Sequence, residues 1–316
     1  PEAPDIFTKM QHPKFDDERD YAILDITQDD ALGYIWATTM NGLKVFNTEN
    51  GALAQIDGLL PSTNRYQMLA GLIKDKDGNI WVGGYNVPSF IISFTSGITT
   101  HYLEPIRRMS NHIASISQLC ADDDPEKLWL FQERHRLYLY DRVTGDVESE
   151  VSSSFADTHN NVGSIYLMRK SKRGKGVLAC GLNPTSVYRI YESDGKIKLA
   201  DQIDFSSETR PRALLEDHNG DLWIGTENTL FTYDTGTKTL SRKAMDTGKV
   251  VDIKECVSGD VAVATTSTDN RSKVTWFKDG IKGNTRDFDI ECTAIAITKD
   301  STLWLGTRTG EIFFTR

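Results

Sequence analysis

Short apolar runs of four to seven residues recur along the whole chain, rich in β-branched and aromatic side chains and separated by Asp-Gly, Asn-Gly and other polar turns. Runs of that length and composition predict strands rather than helices, and the dipeptides between them tolerate the positive φ that tight hairpins require. The alternation of a one-sided sheet is missing from the inner runs, where Leu222, Trp223 and Ile224 follow one another. A strand apolar on both faces must be covered on both.

The runs also repeat. Glu216-Asp-His-Asn-Gly-Asp-Leu-Trp-Ile-Gly-Thr226 echoes Lys74-Asp-Lys-Asp-Gly-Asn-Ile-Trp-Val-Gly-Gly84, and both echo Lys299-Asp-Ser-Thr-Leu-Trp-Leu-Gly-Thr307. Weaker copies surround Trp36 and Trp129. Trp36 and Trp81 stand 45 residues apart, whereas 94 separate Trp129 from Trp223 and 81 separate Trp223 from Trp304, so each of the longer gaps hides a copy. The pattern places Leu178 and Ala262 at the Trp position of the hidden units. Each marker precedes a second short run that ends in an aromatic, at Phe46, Phe94, Tyr140, Tyr191, Tyr233, Phe277 and Phe314. Seven units of about 45 residues account for the chain.

The fifth unit reads as four strands, 211–216, 221–226, 230–234 and 239–243, which makes an antiparallel meander. A sheet stacked between two copies of itself is covered on both faces. The expected fold is therefore all-β, a single seven-bladed β-propeller of four-stranded antiparallel blades over residues 1–316. The seventh unit ends after its third run, and residues 5–11 precede the first innermost strand, expected at 21–27, at the spacing of an outer strand. They are expected to close the last blade, which would leave no exposed edge there.

Composition narrows the chemistry. The formal charge of −9 argues against nonspecific nucleic-acid binding, and no apolar run is long enough to span a membrane as a helix. The chain opens on Pro1, as a processed or excised chain would, so its location is not read from that end. The four cysteines lie in or beside apolar runs without CxxC or His spacing, and read as small buried hydrophobes. No cofactor or metal site is expected. Asp75-Lys-Asp-Gly-Asn79 is a fragment of a calcium loop without its closing acid, and is expected to be a hairpin turn.

The motif Asp-x-x-Gly-x-Leu/Ile-Trp-Ile/Val-Gly-Thr, followed by a short run into an aromatic-Asp turn, resembles the two-component-regulator propeller repeat. The likeness is good over 74–84, 216–234 and 299–314, partial over 29–46 and 111–141, and faint in the fourth and sixth units. That resemblance implies a bacterial periplasmic or extracellular location and a sensor role in two-component signalling, beside further domains of a sensor kinase or a partner protein. The β-sandwich, membrane helix and kinase that accompany such propellers have no counterpart in these 316 residues.

Numbering each blade from its innermost strand outward divides the loops between two faces. One is mainly acidic, with Lys170 to Lys175 as a basic exception. The other, made of the blade-to-blade links and the second-to-third loops, collects eleven of the seventeen arginines: Arg19, Arg65, Arg107, Arg108, Arg134, Arg136, Arg210, Arg212, Arg271, Arg286 and Arg308. Tyr66, Tyr85, His135, Asn183 and Glu227 share those loops. Guanidinium forks read carboxylate and sulfate, tyrosine stacks on sugar rings, and amides serve hydroxyls. The candidate ligand-binding residues are Arg65, Tyr66, Tyr85, Arg134, His135, Arg136, Asn183, Arg212, Glu227 and Arg308, and the expected ligand is a small molecule or an acidic oligosaccharide. The competing reading pairs these arginines with loop acids and leaves only a solvated face. Two other classes stay open: a protein-interaction scaffold, and a polysaccharide lyase or hydrolase using His112, His135 or His159 with Tyr85 or Glu227.

Overall fold

Every described element is a strand, and the strands form seven antiparallel sheets. The structure is a computed structural model that describes residues 8–9, 22–40, 42–49, 51–54, 68–84, 90–93, 97–99, 116–132, 136–152, 164–182, 185–205, 210–243, 245 and 248–315. The innermost strands of blades 1 to 7 are Ile23–Asp29, Leu69–Lys74, Ile116–Ala121, Ser164–Lys170, Ala213–Glu216, Lys249–Glu255 and Cys292–Ile297. The first begins two residues later than the sequence suggested, and the fifth starts at Ala213 rather than 211. Pro211 has no N–H to give, so the pairing reaches only to Arg212, whose N–H donates to Gly225 O at 2.8 Å.

Six sheets have four strands and the first has three, among the described residues. In blade 1, among the described residues, the chain after Gly42–Asn47 returns as a single bridge, Leu53 opposite Phe46. Of the segment 5–11, Thr8–Lys9 is described, and it pairs antiparallel with Ile312–Thr315, Thr8 opposite Phe314. The other residues of that segment lie outside the described ones.

The repeat motif has a local physical cause. Asp75 Oδ1 accepts the N–H groups of Asp77 and Asn79, each at 2.9 Å, while its Oδ2 accepts Trp81 Nε1–H at 2.9 Å. Asp217 does the same for Asn219, Asp221 and Trp223. One carboxylate thus shapes the hairpin and satisfies a buried indole, and Gly78 and Gly220 supply the left-handed backbone of the turn, each at φ 83°. This is the hairpin turn expected in place of a calcium loop.

Packing builds the ring from one joint repeated. Each of seven apolar clusters lies between consecutive blades, led by Trp36, Trp81, Trp129, Leu178, Trp223, Ala262 and Trp304 in turn, and the last joins Trp304 of blade 7 to Ile23, Ile26 and Phe46 of blade 1. The small residue after the marker sets how closely the next blade approaches. A Cβ on Gly225 would lie 2.3 Å from Val250 Cγ1, and one on Gly306 would lie 2.6 Å from Ile23 Cγ2. Both neighbours belong to the innermost strand of the following blade. Cys120, Cys180 and Cys292 are buried in these clusters or beside the axis, and Cys256 is half-buried. Burial pushes the Cys120 thiol up to about 12.

Candidate functional site

The innermost strands surround a channel of about 320 Å³ on the ring axis. In six of them the ladder skips one residue near the start, at Leu24, Ala70, Ser117, Tyr166, Val251 and Thr293. A bulge re-aims the side chains that follow it. In blades 1, 3 and 6 the next residue is polar: Asp25, Gln118 and Asp252. Gln118 Oε1 accepts the Met168 N–H at 3.2 Å, and Asp252 Oδ2 accepts the Ile295 N–H at 3.0 Å, so each ties its blade to the neighbouring one beside the axis. Lys254 Nζ lies 3.4 Å from Asp252 Oδ2, and Arg169 donates to Met168 O at 3.0 Å.

Among the described residues the charged members of the channel lining are Asp25, Asp252, Arg169, Lys170, Arg212 and Lys254; Lys170 reaches away to Asp123, Arg212 pairs with Glu227 and Lys254 with Asp252. Asp25 keeps part of its surface on the channel, yet it is walled in by the innermost strands. Its carboxyl is raised above the ordinary value by that burial; the charges of Lys254 and Arg169 pull against the rise, and Asp252 adds to it. Arg169 and Lys254 bring positive charge to the axis beside Asp25, and positive charge there favours an anionic guest.

Of the ten residues singled out from the sequence, four are described. Arg212 stands at the link end of the channel and belongs to its lining, and its Nη2 donates to Glu227 Oε1 at 2.6 Å. Two of the candidates therefore meet each other. Arg308 Nε lies 2.7 Å from Glu291 Oε2, and Arg136 opens the third strand of blade 3. Arg65, Tyr66, Tyr85, Arg134, His135 and Asn183 fall outside the described residues. Arg286, counted among the loop arginines, instead lies in the outer strand Ile281–Phe288 and donates to Thr315 Oγ1 at 3.1 Å. Asp25, Gln118, Arg169, Asp252 and Lys254 were not anticipated. Their signal is visible in retrospect as one polar residue interrupting an apolar innermost run, as in Ile-Leu-Asp25-Ile and Val-Val-Asp252-Ile.

On the opposite face, much of the acidity is spent on joints between blades. Lys74 holds Asp29 at 2.6 Å, Arg142 spans Asp75 at 3.2 Å and Asp77 at 2.6 Å, Lys170 meets Asp123 at 3.2 Å, and Lys299 meets Asp30 at 3.3 Å. Blade 4 lacks the Asp–Trp couple and uses another. Ser171 Oγ donates to buried Glu216 at 3.0 Å, and Arg189 Nη2 lies 3.4 Å from the same carboxylate.

Residues 60–86 and 205–228 match the family described as the two component regulator propeller. In structure the chain is similar to the extracellular domains of two proteins of B. thetaiotaomicron described as hybrid two component systems. With that of BT4673 it shares 17% identity at a TM-score of 0.70, over 98% of this chain and 39% of that one. With that of BT3049 it shares 17% identity at a TM-score of 0.71, over 99% of this chain and 42% of that one. The chain therefore spans about two fifths of those domains. It is also similar to a streptogramin B lyase, at 15% identity and a TM-score of 0.73, over 99% of this chain and 97% of the lyase. At these identities the likeness is one of fold. No curated protein matches the sequence.

Proposed function

We propose that this chain is a non-catalytic ligand-sensing propeller of the bacterial periplasm or cell exterior, part of the receptor region of a two-component signalling protein. Its ligand is an anion bearing hydroxyls, an acidic oligosaccharide or a fragment of one, received in the axial channel. The observation that carries this reading is the positive charge that Arg169 and Lys254 bring to the channel wall beside Asp25, with Arg212 also in the lining. The matched repeat and the similarity to extracellular domains of two-component systems support the setting.

Calorimetric titration with uronic-acid oligosaccharides tests it, with neutral oligosaccharides of the same length as controls. Saturable binding of the acidic series, weakened at least tenfold by Arg169→Ala or Arg212→Ala, is the expected result. Absence of binding, or affinity unchanged in both variants, overturns it. Similarity to a lyase keeps an enzymatic reading in view, and an ultraviolet signal from unsaturated sugar products during the same titration would favour it over sensing.

A further inference from the structure

Blade 7 departs from the Asp–Trp couple in a way that leaves a donor without an acceptor. Trp81, Trp129 and Trp223 each give their indole N–H to the acid that follows the innermost strand of their own blade: Asp75, Asp122 and Asp217. The corresponding residue in blade 7 is Thr298, six positions before Trp304, as Asp75 and Asp217 stand six before theirs. The Thr298 hydroxyl is turned to Asp300 Oδ1 and to Thr302 O, the latter at 3.2 Å. Trp304 is 3% exposed, and its Nε1 is buried with no hydrogen-bond partner. A buried donor in that condition costs about 1–3 kcal/mol.

The place an acid would fill opens on a cleft. Thr298, Asp300, Trp304 and Phe314 of blade 7 and Asp30 and Glu49 of blade 1 line a space of about 440 Å³ between the last and first blades, on the face away from the arginine loops. Phe314 stacks on Trp304 with ring centroids 4.9 Å apart and forms an aromatic side to the cleft. Its one lysine, Lys299, is already paired with Asp30. An anionic group brought to the indole would meet three carboxylates here. An ammonium group has no lone pair to accept the N–H. A hydroxyl accepts from Nε1 and donates to a carboxylate at once.

We propose that this inter-blade cleft is a second binding site, for a neutral sugar unit, in which one hydroxyl takes the Trp304 N–H and others donate to Asp300 and Glu49. The proposal does not rest on the axial channel proposed above for anions, whose lining is a different set of residues.

Indole ¹⁵N–¹H spectra of the full chain give six signals at most, and the one lost in Trp304→Phe is that of Trp304. The probes are glucose, galactose, mannose and xylose, with glycerol as the source of hydroxyls without a ring. The expected result is a saturable shift of the Trp304 signal with at least one of the sugars at a concentration where glycerol leaves it unmoved. Thr298→Asp restores the acid used by blades 2, 3 and 5. It should raise the melting temperature and weaken the sugar response at least tenfold. No saturable shift with any of the four sugars, an equal shift with glycerol, or an unchanged sugar response in Thr298→Asp each overturns the proposal. Should Trp304→Phe fail to fold, Thr298→Asp assigns the signal through its new hydrogen bond and decides the matter alone.

Discussion

Single residues carry this fold by answering two demands at once. Asp217 both caps its hairpin and accepts the Trp223 indole. Asp217→Ala leaves a buried N–H unpaired and frees two backbone donors, and should cost about 1–3 kcal/mol for the indole alone, measured as a fall in urea midpoint. A second prediction concerns pH. Asp25 is raised by burial, so the fold disfavours its charged form, and the stability it supports is full below the unfolded value of 3.8 and is lost as pH rises through the folded value. Asp25→Asn removes that loss. The variant should be more stable than the native chain at pH 8, with the gain shrinking steadily as pH falls toward 4. A pH-independent difference in urea midpoints would contradict the assignment. The sequence displayed Asp217 plainly because its neighbours repeat elsewhere, whereas Asp25 sits in a run that is otherwise ordinary, and only a bulge turns it to the axis.

At the scale of the strand, the marker and the glycine after it are two halves of one contact. The indole fills the gap between blades, and the missing Cβ lets the next innermost strand come close. Gly225→Val drives a branched side chain into Val250 and should destabilise by about 1–3 kcal/mol, as overpacking does in close-packed cores. The same change at Gly195, whose added Cβ meets nothing within 4 Å, is the control for crowding, although its φ of 72° adds backbone strain of its own. Thermal melts of the two variants separate the terms. Strand position was legible in the sequence because apolar runs, turns and indoles share one period. The bridge between Leu53 and Phe46 in blade 1 was not, since that pairing is set by a single contact and not by a repeated pattern. The acids of the hairpin face were legible in the sequence, but their use was not. Pairings such as Arg142 with Asp75 and Asp77 reach across blades, and residues 65 or more apart in sequence carry no mark of their meeting.

For the whole molecule, the last joint of the ring lies between blades 7 and 1. Thr8–Lys9 lies alongside Ile312–Thr315, so removing residues 1–12 should bare the edge of that strand and lower the melting temperature by several degrees. An unchanged melt would mean that the seam around Trp304 and Ile23 holds blades 7 and 1 together unaided. The seams are not all alike. Leu178 stands in place of an indole between blades 4 and 5, and Ala262 does so between blades 6 and 7. These two substitutions divide the circle into arcs of unequal length: blades 5 and 6, fastened to each other by Trp223, and the remaining five, threaded by Trp304, Trp36, Trp81 and Trp129. Proteins open in cooperative units bounded by their weaker contacts. Amide exchange should therefore sort this propeller into a short arc and a long one, with the boundaries at the joints marked by Leu178 and Ala262, where the second has only the partly buried Trp276 at its side.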